Sequence, residues 1–454
     1  MYEKVIKNGI VYAFGGFSRL DIGINGGTIT GIGCDLSGAE MIYADQMLVL
    51  PGLIDGHTHM GIHSGAISVE EDFYSGTVAA AAGGVTTIID FTDGSPDSTL
   101  SEDIRNKLEK AKIAVIDYSF HAEVIGWFPG KEKEFAGAIS EGVTSFKFYT
   151  TYSRDKKMIS TGGLLISFRE LSGLGGLAIV HAEDDNIINT CESMIDSYTM
   201  KNLPETRPEI AESLAIDILA CLAEYCEAQI HIVHLSSMEG FKRLTASQSR
   251  KVSITAETCP QYLVLDEGVY NRPHGGLYAA APLFRSSEDM NALWRGLKSG
   301  SISFIASDHC CFNRAQKLKS SSFKEIPFGL PGVETLLPVI YSEGFMKKRI
   351  DLPELPKLLS TNVARRYGLF PRKGIIAVGA DADLVIFDPK ERWKIQSSSL
   401  HMKTDFTPYE GFDAQGRVVS TFSRGELIFH EGKNRAPAGR GRFLRRRPSL
   451  KTLP

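Results

Sequence analysis

The sequence lacks the features that mark membrane proteins, nucleic-acid-binding proteins and disulfide-rich proteins. It has no run of ~18 consecutive apolar residues, so no membrane span is predicted. Lys and Arg (50) nearly balance Asp and Glu (54), and a net charge of −4 favours neither nucleic acid nor a membrane as a partner. The seven cysteines include no Cys-x-x-Cys pair, which predicts reduced thiols and a cytoplasmic protein.

Short strand-like segments separated by glycine turns, such as Asn25-Gly26-Gly27, occupy both ends of the chain. We predict that residues 1–50 and residues 373–430 together form a small β-sandwich domain. Residues 431–454 would then be a C-terminal tail. Its end is basic, and we expect it to contact a neighbouring subunit and not nucleic acid.

Residues 51–372 have a different pattern, in which short apolar strands alternate with helix-compatible stretches. Near-continuous apolar strands that alternate with helices indicate a buried parallel sheet. Seven or eight such repeats favour an α/β fold of the (β/α)₈ TIM-like barrel type. A doubly wound sheet is the alternative, but no Gly-x-Gly-x-x-Gly motif follows the first strand.

Polar residues of metal-ligand type follow the apolar strands of this region. In a barrel the catalytic groups lie at the carboxyl ends of the strands. The residues at these positions are His57, His59, Asp90, Lys147, His181, His234, Glu257 and Asp308. His57 and His59 are two apart on an extended segment, so their side chains point to the same face. Neutral imidazoles suit Zn²⁺ and similar ions, and we therefore predict a metal centre here.

Two further residues fit a centre with two metal ions. Lys147 ends a strand between Phe146 and Phe148, where an ammonium beside two cations would be costly. A neutral amine can react with CO₂, and the resulting carbamate can bridge metal ions roughly 3.5–4 Å apart. Asp308 could bind a metal ion and also take a proton from water. His231 and His309 are interpreted as supporting residues.

Several motifs together resemble those of the dihydropyrimidinase/hydantoinase family of cyclic amidohydrolases. The matching stretches include Pro51–His59, Glu71–Ala80, Gly83–Phe91, Gly142–Lys147, Ile232–Ser237, Glu257–Leu263 and Ser307–Cys310. The similarity continues to Gly439–Arg446, so it covers nearly the whole chain.

The resemblance implies two divalent metal ions of the Zn²⁺ type and a role for each ligand position. His57 and His59 match the ligands of one ion, and His181 and His234 match those of the other. Lys147 matches a carboxylated lysine (N6-carboxylysine) that bridges both ions. Asp308 matches an aspartate that binds metal and moves the proton, and Tyr152 matches a tyrosine that stabilises the oxyanion.

In that family a hydroxide between the metal ions opens the ring of a cyclic amide and gives an N-carbamoyl amino acid. The family holds the ring amide through backbone groups at the positions of Ala281 and Phe328. Hydantoinases commonly have Ser and Asn there, so this chain departs from the family pattern at two positions that face the substrate in the family. The resemblance also implies a homo-oligomer, a tetramer or a dimer.

Three alternatives stay open. Dihydroorotases usually carry an arginine just after the His-x-His pair, whereas this chain has Met60 and Gly61. Allantoinases are related, although the stretch from Glu71 to Thr77 is closer to that of hydantoinases. Some relatives are non-catalytic scaffolds that lost the metal ligands, but all six ligand positions here carry competent residues.

Overall fold

Parallel strands form the centre of the fold in the computed structural model, which describes residues 1–64 and 67–448. In this part of the chain eight strands follow one another in a single sheet. Numbered one to eight as barrel strands, they are Leu53–Thr58, Val85–Phe91, Asp117–Glu123, Ser145–Tyr149, Leu177–His181, Gln229–Ile232, Ile254–Thr258 and Phe304–Ile305. A parallel bridge between Thr58 and His309 joins the last strand to the first. The predicted barrel is confirmed, and the doubly wound sheet is excluded.

Helices surround the barrel, and seven of the α-helices in the described ranges begin at a capping side chain. The helix Leu100–Ala111 begins where Thr99 and Glu102 form a reciprocal capping box. The α-helices are Phe73–Ala82, Leu100–Ala111, Phe135–Ser140, Thr161–Leu174, Asp185–Ser193, Leu203–Thr206, Glu209–Cys226, Met238–Ser249, Pro260–Val264, Ser287–Ser299, Arg314–Lys317, Leu336–Ile340, Glu354–Pro356 and Asn362–Arg366. Single turns of other helical types are Lys131–Glu134, Ser153–Asp155, Met200–Asn202, Glu267–Asn271, Gly275–Tyr278, Phe323–Glu325, Tyr341–Phe345, Lys357–Thr361 and Ser397–Ser399.

Strands from both ends of the chain form one mixed sheet beside the barrel. Within the described ranges it contains nine strands. They are Tyr2–Ala13, Gly16–Asn25, Thr28–Gly33, Gly38–Tyr43, Leu48–Pro51, Leu384–Lys394, Asp413–Ser423, Glu426–His430 and Lys433–Asn434. Leu48–Pro51 pairs antiparallel with Leu384–Lys394 and joins the two ends. The sheet has a core of its own, which includes Ile22 and Phe422. A small β-domain built from both ends is therefore confirmed, whereas its exact boundaries stay a prediction.

The C-terminal tail packs against its own barrel as far as the structure describes it. Phe443 forms a bridge with Tyr118, and the Arg446 side chain is buried beside the third and fourth barrel strands. Residues 449–454 lie outside the described residues. The predicted subunit contact of the tail stays a prediction. In the described part of the chain, no helix combines the length and the apolar character that a membrane crossing requires.

Candidate metal centre and active site

The side chains of His57 and His59 converge on the carboxylate of Asp308. The Nε2 atom of His57 lies 3.1 Å from Oδ1 of Asp308, and Nε2 of His59 lies 3.3 Å from the same oxygen. Among the described residues, none makes a hydrogen bond with the buried Nε2 atom of His57. Burial opposes a positive charge on His57, but Asp308 and Glu257 outweigh it and raise its pKa to about 9. The carboxylates of Asp308 and Glu257 therefore favour a positive charge at His57.

A second pair of imidazoles lies at the ends of two strands that are adjacent to each other. His181 ends the fifth barrel strand, and His234 follows the sixth. Both are buried, and Nδ1 of His181 lies 3.1 Å from Nε2 of His234. The rings of His57 and His234 are 5.4 Å apart between centroids, which places the second pair beside the first. One of these nitrogens donates to the other, and without that proton both nitrogens could bind one metal ion.

Carboxylates hold the outer nitrogens of two of these histidines. Nδ1 of His57 donates to Oε1 of Glu257 at 2.6 Å, and Nε2 of His181 donates to Oε2 of Glu183 at 2.7 Å. In the neutral form of each ring the outer nitrogen therefore carries the proton, and the inner nitrogen offers its lone pair to a metal ion. Burial opposes ionisation of Glu257, but His57 and His231 outweigh it and lower its pKa to about 2. His231 contacts Oε2 of Glu257 at 3.3 Å, and its supporting role stays a prediction.

Lys147 lies on the fourth barrel strand and is buried. Its Nζ atom is 5.0 Å from the centre of the Phe91 ring, and that ring also contacts those of His57 and His59. Burial lowers the pKa of Lys147 to about 8, although Asp308 and Glu257 favour its charged form. A lowered pKa makes the neutral amine more accessible, which is the form that reacts with CO₂.

Tyr152 begins a loop that lies over the His181 ring, with ring centroids 5.1 Å apart. The guanidinium of Arg207 stacks 5.3 Å from the centre of the Tyr152 ring and is also paired with Glu183. Burial raises the pKa of Tyr152 to about 12 although Arg207 opposes this shift, so the phenol stays a hydrogen-bond donor at neutral pH. The Arg207–Glu183 pair carried no signal in the sequence.

Three of the predicted site residues have left-handed backbone conformations. The φ angles are 69° at Tyr152, 40° at His234 and 52° at Asp308. Non-glycine residues rarely adopt φ above zero, and such strain concentrates at functional sites. The surrounding fold must hold these three residues in an unfavourable backbone conformation, and this conformation sets the directions of their side chains.

The segments that carry Ala281 and Phe328 lie side by side at the rim of the eighth strand. The N–H of Gly329 donates to the carbonyl oxygen of Ala279 at 3.0 Å. The N–H of Cys310, two residues after Asp308, donates to the carbonyl oxygen of Leu330 at 2.9 Å. Both predicted substrate segments are thus tied to each other and to the strand end that carries Asp308.

A second group of potential ligands, Glu71, His309 and Cys311, lies next to this site. Nε2 of His309 donates to Glu71 at 2.5 Å, and its Nδ1 accepts from the N–H of Gly332 at 2.9 Å. The other Glu71 oxygen accepts from the N–H of Lys403 at 2.6 Å. Glu71 and His309 thus satisfy each other's hydrogen bonds, and the supporting role of His309 stays a prediction.

Comparisons with known proteins place the chain in a family. The model of the amidohydrolase family matches residues 48–428. A D-phenylhydantoinase from Escherichia coli O1:K1 / APEC is 39% identical over 458 residues, which cover 98% of each protein. The chain belongs to the amidohydrolase family. Its relatives within the family, at this identity and over this length, are hydantoinases and dihydropyrimidinases.

Solved structures of this amidohydrolase group superpose closely. The dihydropyrimidinase from Brevibacillus agri NCHU1002 has a TM-score of 0.95 and 34% identity, covering 98% of this chain and 99% of that one. The D-hydantoinase from Bacillus sp. AR9 has a TM-score of 0.96 and 35% identity, covering 99% and 100% of the two chains. The family resemblance, the barrel and the small β-domain of this amidohydrolase are all confirmed.

Proposed function

We propose that this amidohydrolase opens the ring of a neutral cyclic amide, a hydantoin or a dihydropyrimidine, to an N-carbamoyl amino acid. The observation that carries the proposal is one cluster of ligand-type side chains at the ends of five barrel strands. Its members are His57, His59, Lys147, His181, His234 and Asp308. The identity of 39% with a D-phenylhydantoinase supports a cyclic amide as the substrate class.

The side chains present fit two divalent ions of the Zn²⁺ type. The Nε2 atom of His57, which contacts Asp308 without a hydrogen bond, and the nitrogens of His181 and His234 that face each other are suitable nitrogen donors. Lys147, carboxylated by CO₂, would supply the bridging oxygens. When bound, such ions polarise a carbonyl group and lower the pKa of water.

Asp308 is the proposed proton carrier. Burial opposes its ionisation, but the imidazoles of His57 and His59 outweigh this and hold the pKa of its carboxyl well below the usual range. Asp308 is therefore ionised at neutral pH, and in this form it would accept a proton from the attacking water and deliver it to the ring nitrogen as the amide bond breaks.

Tyr152 and two backbone segments would position the ring. The phenol of Tyr152 donates a hydrogen bond to the oxygen on which negative charge develops. Backbone groups at Ala281 and Phe328 would hold the amide of the ring, so the unusual side chains at these positions need not prevent binding. A phenol on a loop and two backbone segments would suit a small neutral ring as the substrate. We further propose that the chain associates with copies of itself in a dimer or tetramer.

The alternatives have less support. Met60 and Gly61 stand where dihydroorotases carry the arginine for a substrate carboxylate, and neither residue has a side chain that binds a carboxylate. Arg207, the cation beside Tyr152, is already paired with Glu183. A non-catalytic scaffold does not require the ligand set that this chain retains. We also propose a cytoplasmic location, in agreement with seven cysteines that form no disulfide.

A substrate panel tests the proposed function. Purified protein, supplied with zinc and bicarbonate, is incubated with hydantoin, 5-phenylhydantoin, dihydrouracil, allantoin, dihydroorotate and succinimide. We expect ring opening of hydantoins or dihydrouracil, detected as N-carbamoyl products by mass spectrometry. Turnover of dihydroorotate alone, or of no compound at all, would contradict the proposal.

A further inference from the structure

Lys317 is a fully buried lysine outside the ligand set. It ends the helix Arg314–Lys317 and has no solvent-accessible surface. Its Nζ atom donates to three backbone carbonyl oxygens, those of Ala279 at 2.6 Å, Pro327 at 3.0 Å and Gly329 at 2.9 Å. Among the described residues, no carboxylate forms an ion pair with it. A buried lysine held by carbonyl groups alone is uncommon.

The number of acceptors matches the ammonium form of the side chain. An ammonium has three N–H donors, and each of the three carbonyl groups accepts one. Burial lowers the pKa of Lys317 to about 7, whereas hydrogen bonds to the charged form favour the ammonium. Burying an ammonium costs free energy, and the three hydrogen bonds of Lys317 offset part of that cost.

The three carbonyl groups belong to the two segments that would hold the substrate ring. Ala279 lies two residues before Ala281, and Pro327 and Gly329 flank Phe328. A backbone hydrogen bond also joins the two segments, from the N–H of Gly329 to the carbonyl oxygen of Ala279 at 3.0 Å. One Nζ atom therefore ties both segments together.

Local packing leaves these segments little freedom to move toward the strand end. Gly329 has a φ angle of 147°, and a Cβ atom there would lie 2.8 Å from Cβ of Cys310. The segment thus rests directly on the residues that follow Asp308. Cys310 limits the position of the Gly329 segment on one side. On the other side, the hydrogen bonds of Lys317 hold the two segments at a fixed distance from each other.

We propose that Lys317 is a positioning residue for substrate, which fixes the spacing between the backbone groups at Ala281 and Phe328. This inference rests on the proposed function, since it assigns a task within the same site. Lys317 makes no described hydrogen bond with a proposed metal ligand. Its loss should therefore weaken substrate binding without removing the metal ions.

The test compares the kinetics of Lys317→Met with those of the wild-type protein on the best substrate of the panel. The Met side chain keeps the length and the apolar contacts but provides none of the three donors. We expect kcat/KM to fall about 10–100-fold, with a larger change in KM than in kcat, and the metal content to stay the same. Lys317→Gln, which keeps a donor, is the second variant and should show a smaller rise in KM.

Lys373→Met is the matched control, because Lys373 is also buried but binds Asp117 and Asp383 next to the small β-domain. Its loss should lower thermal stability and leave KM unchanged. Unchanged KM values in both Lys317 variants, or loss of metal together with activity, would overturn the inference. Lack of turnover by the unmodified protein would instead overturn the proposed function on which the inference rests.

Discussion

Carboxylates decide which nitrogen of each histidine faces the centre of the site. Glu257 lies between His57 and His231, and Glu183 lies between His181 and Arg207. Such outer partners fix the tautomer and the orientation of a ligand histidine and raise its basicity. The site at this scale consists of the proposed ligands together with the groups that hold them.

Glu257→Gln should weaken metal binding, because an amide presents an N–H₂ group where His57 or His231 needs an acceptor. We expect the affinity for zinc to fall about 10–100-fold, measured by competition with a chromogenic chelator. Glu334→Gln is the control, since Glu334 accepts from Nδ1 of His401 at 2.7 Å in a pair outside the ligand set. Equal zinc affinity in both variants would show that Glu257 does not support a ligand.

Tyr152→Phe should slow turnover and leave metal binding intact. The ring contacts remain, whereas the hydrogen bond to the developing oxyanion is lost. We expect kcat to fall about 100- to 1,000-fold with a much smaller change in KM. A kcat near that of the unmodified protein would exclude Tyr152 from stabilising the transition state.

At the scale of elements, the strand ends explain why most of the proposed ligand set could be predicted. Parallel strands place their carboxyl ends at one rim, so His57, Lys147 and His181 are brought together by strand order alone. The supporting residues Arg207 and Lys317 could not be predicted in this way. They come from loops and short helices after the strands, whose direction no periodic pattern indicates.

The helix Glu209–Cys226 supports the loop after His234. The buried carboxylate of Glu212 accepts from the N–H groups of Ser236 at 2.9 Å and Ser237 at 2.8 Å. Glu212→Ala leaves both donors without a partner, and we expect the free energy of unfolding to fall by about 2–4 kcal/mol. Denaturant titration measures this change, and an unaltered midpoint would contradict the role of Glu212.

At the scale of the whole molecule, the two chain ends meet beside the barrel. The sequence pattern predicted strands at both ends, since alternation and glycine turns are local signals. It could not predict that Leu48–Pro51 pairs with Leu384–Lys394, because pairing across so many residues depends on the folded barrel between them. The burial of Arg446 could not be predicted either, since its neighbours in the sequence are mostly charged.

Removal of residues 440–454 should destabilise the barrel. Arg446 donates to Ser119 at 2.9 Å and Ser145 at 2.8 Å, and Ser145 bonds to His121, which in turn bonds to the carbonyl oxygen of Gly56. The truncation breaks this chain of hydrogen bonds and exposes apolar surface around Leu444. We expect Tm to fall by about 5 °C or more. An unchanged Tm in scanning calorimetry would show that the tail adds no stability.

The central claim is that two metal ions, held by the residues at the barrel rim, allow the protein to open a cyclic amide. It is tested most directly by titrating metal-free protein with zinc in bicarbonate buffer while the ring opening of the best hydantoin or dihydropyrimidine is followed. We predict no activity without metal and a rate that stops rising at two zinc ions per chain. Full activity in the metal-free protein, or none at any zinc ratio, would contradict the account.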